Sequence, residues 1–161
     1  MAREGIQIQG DFLAVERRLE RLTKVKFAGI HREIGEYVLG TVHDRFKQGE
    51  GPDGKKWPES HRARAEGGQT LVDTRHFQNS FTYRASTDRV DVGTNWPYAH
   101  VHQEGRVIKP RRARALRFSA GGRLAVKKQV EIPARPVLGL NDQDQNEIRE
   151  IVADHIGEAI K

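Results

Sequence analysis

The order of hydrophobic periodicities predicts an α+β protein: an N-terminal helical region, an antiparallel β-sheet with hairpins, and a C-terminal helix packed on the sheet. Two observations carry this. Apolar residues recur at helical spacing before residue 48 and after residue 141, and they alternate at spacing two between about 80 and 130. Helices at the two ends with strands between them give an α+β order, not a βαβ repeat. The reading is one domain over 1–161, divided into a helical region (11–48), a loop (49–70), a β-rich part (80–130) and a final helix (141–160).

The helical region starts at Gly10-Asp11, and Phe12, Val15, Leu19 and Leu22 then follow at helical spacing. A second run, Phe27, Ile30, Ile34, Val38 and Val42, makes one bent helix or two, with Thr23 as an N-cap between them. Gly29, Gly35 and Gly40 each weaken that helix by about 1 kcal/mol relative to alanine, a cost tolerated where another backbone packs closely. Gly49 suits a helix stop. Residues 49–70 are polar and basic and read as a long loop, which in a compact domain is usually functional or disordered.

Phe81, Tyr83 and Ala85, then Val90 and Val92, alternate with polar residues around a turn at 86–89, which is a hairpin pattern. Pro97 can open a helical turn carrying Tyr98, Ala99, Val101 and His102. Ile108, Leu116, Phe118, Leu124 and Val126 indicate further strands, with Gly121-Gly122 as a tight turn. In the last helix, Asn141 or Asp142 is the cap, and Asp144 and Glu147 suit its positive end. Ile148, Ile151, Val152, His155, Ile156 and Ile160 form its apolar face.

Composition narrows the function. The chain is 36% hydrophobic with a mean hydropathy of −0.73, so its core is thin and part of it is expected to order only against partners. Cysteine is absent, which excludes disulfides, thiolate metal sites and a cysteine nucleophile. No apolar run approaches the ~20 residues that span a bilayer, and Met1–Gly5 lack an apolar signal region. The expectation is a soluble protein made in a cytoplasm, with no membrane partner.

The net charge is +6. Between Gly105 and Val130 there is no acidic residue and nine basic ones: Arg106, Lys109, Arg111, Arg112, Arg114, Arg117, Arg123, Lys127 and Lys128. Of 28 basic residues the other 19 face 22 acidic ones, leaving the rest of the chain at −3. A cationic segment of this kind meets a polyanion or an acidic partner surface. Its second to ninth members are the expected contacts, with Lys109 to Arg114 at a hairpin tip or in a projecting loop. Phe118 is the lone aromatic in the segment, which argues against base-stacking readout of single strands.

Catalytic patterns are weak. His100, His102 and Glu104 would share a face on a strand, and His100 and Glu104 would on a helix, which could begin a zinc site. No second ligand cluster accompanies them. Asp73, His76 and Ser80 have triad residue types without a nucleophile-elbow pattern. Gly49, Gly51 and Gly54 fit the letters of a dinucleotide fingerprint, but they contain Pro52 and follow a helix, not a strand. No catalytic residue, metal or cofactor is expected.

Four short segments rich in shape-setting residues stand out: Gly51-Pro52-Asp53-Gly54-Lys55-Lys56-Trp57, Leu71-Val72-Asp73-Thr74, the stretch from Val92 through Gly93, Tyr98, Ala99 and His102 to Gly105, and Ile132-Pro133-Ala134-Arg135-Pro136-Val137-Leu138-Gly139-Leu140. The two prolines of the last fix an extended backbone and aim Arg135 at a carboxylate or a carbonyl, as an intersubunit joint or an intrachain brace. In this order the segments resemble the phage virion morphogenesis family, the tail-completion proteins of Mu-like and related tailed phages and prophages, from about Arg45 to the final helix. One departure is Arg75, where the family usually has glycine. Glycine would imply a positive φ or close backbone packing, and arginine argues against that geometry.

The resemblance implies a structural protein that completes the tail or neck for head–tail joining. It implies a homo-oligomeric, six-fold ring among other tail, neck and connector proteins, in the virion after assembly in the host cytoplasm. It also implies that Gly51, Pro52, Asp53, Gly54, Trp57, Asp73, Thr74, Gly93, Tyr98, Ala99, His102, Gly105, Pro133, Ala134, Arg135, Pro136 and Gly139 are structural. A stand-alone DNA-binding module is the second hypothesis, although its cations lie in a β/loop region and not on a recognition helix. A metal-dependent enzyme built on His100, His102 and Glu104 is the third.

Overall fold

The computed structural model describes residues 12–120 and 123–161. The expected helix start at Gly10-Asp11 and the turn at Gly121-Gly122 lie outside them. Helices α1 (Phe12–Leu22) and α2 (Phe27–Gln48) are separate. Thr23 closes α1, its hydroxyl donating to the Glu20 carbonyl at 2.7 Å, and it caps nothing downstream. The residue before α2 is Lys26, which makes no side-chain cap. α1 remains amphipathic yet exposes Leu13, Val15 and Leu19.

The scaffold is α2. One stripe, Ile30, Ile34 and Val38, packs against Val90 and Val92 of the first hairpin and against Ile148, Ile151 and Val152 of α6 (Asp142–Ala159). Further along α2, Val42 and Phe46 are fully buried with Trp57, Phe77, Phe81 and Val137. Phe46 meets Trp57, Phe77 and Phe81 edge-on, with ring centroids 5.4–5.7 Å apart, the geometry that aromatic quadrupoles favour. Gly35 is required: a Cβ there would lie 2.4 Å from the Tyr83 ring. Gly49 ends the helix at φ +69°, its N–H returning to the Arg45 carbonyl at 2.7 Å.

The β content is antiparallel and divided into three two-stranded sheets. β1 (Phe81–Ala85) pairs with β2 (Val90–Thr94), placing Tyr83 opposite Val92. β3 (Arg106–Ile108) pairs with β6 (Val130–Ile132), and β4 (Leu116–Ala120) pairs with β5 (Arg123–Lys127). α6 lies mainly along α2 and meets β2 through the same apolar cluster. Its cap is Asn141, whose side chain accepts from the Asp144 amide at 2.7 Å while Asp144 accepts from the Asn141 amide at 3.0 Å, a capping box.

Residues 49–70 are not one loop. They contain a turn closed by Gly54 N–H on the Gly51 carbonyl (3.0 Å), a β-bridge from Glu50 to Lys56, and helix α3 (His61–Glu66). Ser60 caps α3, accepting from the Ala63 amide at 3.1 Å. The Ser-x-x-Ala-x-Ala-Glu pattern was the available signal, obscured by its basic residues.

One polar link ties α2 to the end of the chain. Arg45 is 5% exposed and its guanidinium donates to the carbonyls of Val137 and Gly139, each at 2.8 Å, and to Asp144 Oδ2 at 2.6 Å. Tyr37 donates to the other oxygen of Asp144 at 3.1 Å. Burial first, and the hydrogen bond to Asp144 second, push the Tyr37 hydroxyl up to about 12 from an ordinary value of 10. The folded state thus holds the proton through a range where the unfolded chain releases it. Stability from this difference is fully present below pH 10 and is lost as pH rises through about 12. Thermal midpoints of the native protein should fall more steeply across that window than those of Tyr37→Phe; equal slopes would refute the assignment.

Candidate assembly interface

The four short segments do not lie apart in space. Trp57 Nε1 donates to the Pro136 carbonyl at 2.9 Å, and Arg135 Nε donates to the Pro58 carbonyl at 2.6 Å. A Cβ on Gly139 would lie 2.8 Å from the Pro52 ring, and one on Gly51 3.3 Å from the Pro136 carbonyl oxygen. The Arg135 amide donates to the His102 carbonyl at 2.6 Å. Gln103 serves as a side-chain strand: Oε1 accepts from the amides of Val137 (2.9 Å) and Leu138 (3.1 Å), and Nε2 donates to the Leu138 carbonyl at 2.7 Å. Gln103 and Arg45 therefore satisfy an extended, proline-flanked backbone that has no sheet partner. The bracing role of Arg45 was not read from the sequence, where its signal was a cation among the apolar positions of α2.

Within these segments the single residues divide. Asp53 stands in the exposed turn, and the hydrogen bonds from Lys55 hold its carboxyl below the usual range. Ala99 packs on the aromatic core, whereas Tyr98 is 63% exposed and contributes its carbonyl to α5 (Ala99–Glu104). Gly93 has open space where a Cβ would stand, so nothing in the structure explains a glycine there. Asp73 and Thr74 are exposed and precede α4 (His76–Asn79), which carries Phe77 into the core.

Arg75 has φ +62° and ψ +2°, so the geometry that glycine would have implied is present despite the arginine. Sequence reasoning argued against it because an arginine disfavours positive φ; the turn leads directly into α4, which carries Phe77 into the core. Arg75→Gly should therefore raise stability by roughly 0.5–1 kcal/mol, the relief of strain exceeding the added freedom of the unfolded chain. A urea midpoint that falls would refute this.

The catalytic arrangements are not assembled. On helix α5, His102 turns inward, with its ring 5.6 Å from Phe77, while His100 accepts from the Arg106 guanidinium at 3.2 Å. Glu104 is exposed, and among the described residues no three His, Asp or Glu side chains group as a metal site. The Ser80 hydroxyl donates to the Phe77 carbonyl at 2.7 Å and meets the Thr94 hydroxyl at 2.6 Å, so its bonds serve local structure.

The basic segment is an arm. β3 and β6 form its base and β4 and β5 its outer hairpin, and no described residue from 106 to 132 is buried. Lys109, Arg111, Arg112 and Arg114 occupy the exposed stretch between β3 and β4. Arg117, Lys127 and Lys128 are exposed along the hairpin, and Arg123 opens β5. Among the described residues, none of the first seven forms an ion pair. Leu124 is 75% exposed and Val126 57%. Ile108, Leu116, Phe118, Val130 and Ile132 line a half-open apolar cleft of about 310 Å³. Both arm roots are held at one point, where Gly105 at φ +72° passes the Ala134 backbone.

A small α+β body with a clamped, cationic arm, none of whose described residues is buried, is thus the framework. The chain belongs to the phage virion morphogenesis family, which it matches over residues 11–157. It is similar to Mu-like prophage FluMu G protein 2 of Haemophilus influenzae, at 32% identity over 145 residues covering 89% of each chain. No solved structure matches it. Membership assigns it a role in phage virion assembly. No helix among the described residues is long and apolar enough to cross a membrane.

Proposed function

We propose that this protein completes the phage tail or neck for head–tail joining as a homo-oligomeric, six-fold ring, in which the arm of each copy docks on a neighbouring protein. The observation that carries the reading is the arm itself. A hairpin with no buried side chain and no paired cation among its described residues, and with Leu124 and Val126 exposed, is marginal in water by itself. It gains a second layer only against another surface. The arm's charge favours an acidic partner, and repeated heterologous contacts around an axis close a ring.

The second reading is sequence-independent DNA contact. It is supported by the exposed Lys and Arg side chains, which could neutralise phosphates in a channel. It is weakened by their position on strands and a loop rather than on a helix.

Light scattering after size exclusion, at low and high salt, separates the readings. A discrete multiple of 18.3 kDa, with rings under negative stain, is the expected result. A monomer at both salts that binds duplex DNA with a steep salt slope would replace the ring reading by the DNA-binding one.

A further inference from the structure

Among the described residues two arginines are buried, and they differ. Arg45 has a carboxylate and two carbonyls. Arg135, 6% exposed, spends Nε on the Pro58 carbonyl, and its two terminal nitrogens have no partner among the described residues. Arg135 lines a cavity of about 310 Å³ between α3, the 71–77 segment and α5. Removing a guanidinium from water without an anion is costly, and burial alone pulls the Arg135 pKa below its usual value.

Three further features converge on the same cavity. The Nδ1 atom of His102, which lines it, is buried without a hydrogen-bond partner. Desolvation, and then the neighbouring Arg135 charge, hold that imidazole below its usual pKa. Leu71 and Arg75, the two non-glycine residues with positive φ among the described residues, both line it, and strain of this kind clusters at ligand clamps. Its acidic lining residue, Asp73, is exposed and 3.9 Å from Arg62, not beside Arg135. On its other side Arg135 reaches a second cavity with Glu59 and Glu131, neither within 4 Å of it; Glu59 pairs with Arg64 at 3.2 Å.

We propose that the Arg135 cavity is a socket for the side-chain carboxylate of an Asp or Glu carried by a partner protein. Arg135 supplies a planar fork that matches a carboxylate, and Arg62 and Arg75 add positive charge at the lining. A carboxylate on a stem of one or two methylenes, as in Asp or Glu, is small enough to enter a cavity of about 310 Å³. A phosphate carried on a stiff duplex is not. The inference takes from the assembly reading only that the bearer is a protein, and small probes test the socket without any ring.

The experiment titrates the full-length, isotope-labelled protein with a doubly capped Gly-Glu-Gly tripeptide and follows the Arg135 Nε–H and His102 ring resonances. Sodium chloride at matched ionic strength is the control. Saturable shifts at both residues, with a dissociation constant in the millimolar range, are expected. Arg135→Met, if its thermal midpoint shows that it folds, should lose them; if it does not fold, the residue-resolved shifts of the native protein decide alone. No saturable shift at Arg135, or the same shift with chloride, overturns the proposal. Tighter binding of inorganic phosphate reassigns the cavity to phosphate and overturns it. Tighter binding of acetyl-Gly-Gly with a free C-terminus overturns the side-chain assignment. Tripeptide binding by a protein that forms no ring would leave the socket standing while the ring reading fell.

Discussion

Arg45→Met is expected to destabilise the protein by about 3–5 kcal/mol, the cost of stripping one partner from a buried ion pair. For a chain of this length that is a fall in thermal midpoint of about 6–20 °C. The loss exceeds that of an ordinary helix substitution because one guanidinium closes three contacts, to Val137, Gly139 and Asp144. Without it, two carbonyls and the buried Asp144 carboxylate lose their shared donor, and α2 is no longer tied to the proline elbow or to the cap of α6. Asp144→Leu alone should be similarly costly, since it also breaks the capping box and the Tyr37 bond. The double variant should lose distinctly less than the sum, because the second substitution removes a charge already stranded by the first. Additive losses, or a loss below 1 kcal/mol for Arg45→Met, would refute the link.

Gly105→Ala should cost about 3 kcal/mol or more and loosen the arm. Gly105 has φ +72° and ψ +154°, a region open essentially to glycine. Its added Cβ would stand 2.7 Å from the Ala134 nitrogen and 3.1 Å from the Ile132 carbonyl oxygen. Both are backbone atoms and cannot rotate away. The Arg135 amide, which donates to the His102 carbonyl across this joint, should then exchange its hydrogen faster. Gly93→Ala is the control: open space surrounds it, and its effect should stay within about 0.5 kcal/mol. Equal effects at the two glycines would show that the joint is not sterically set.

If the arm is the docking element of the ring, these substitutions act differently on assembly. Arg45→Met threatens the body that all copies share, and excess stability of the rest of the fold could rescue it. Gly105→Ala re-aims an arm whose own strands remain paired, so it should block joining even where the body stays folded.

Much of the architecture was written locally. The 3.6-residue stripe of α2, the Gly49 stop, the alternation of β1 and β2 and the Asn141 cap all involve partners within a few residues or one periodic face. Such signals survive in a linear chain. So did the cationic segment, since nine basic residues without an acidic one need no fold to be seen. The break after Leu22 and helix α3 were less legible. The first depends on which of two continuous-looking stripes meets the core, and the second is masked by a basic composition that resembles a loop.

By itself, the sequence determined the fold class, the placement of the terminal helices, the first hairpin, the charge of the arm and the family. Tertiary structure alone decided that residues 51–58, 102–105 and 133–139 form one joint, that Arg45 pairs with Asp144, and that Arg135 opens on a cavity without an acid beside it. It also decided that Arg75 keeps a left-handed backbone. The reason is separation along the chain. The partners of Arg45 lie more than 90 residues away, and no periodicity or spacing encodes a contact made only after α2, the elbow and α6 have packed together.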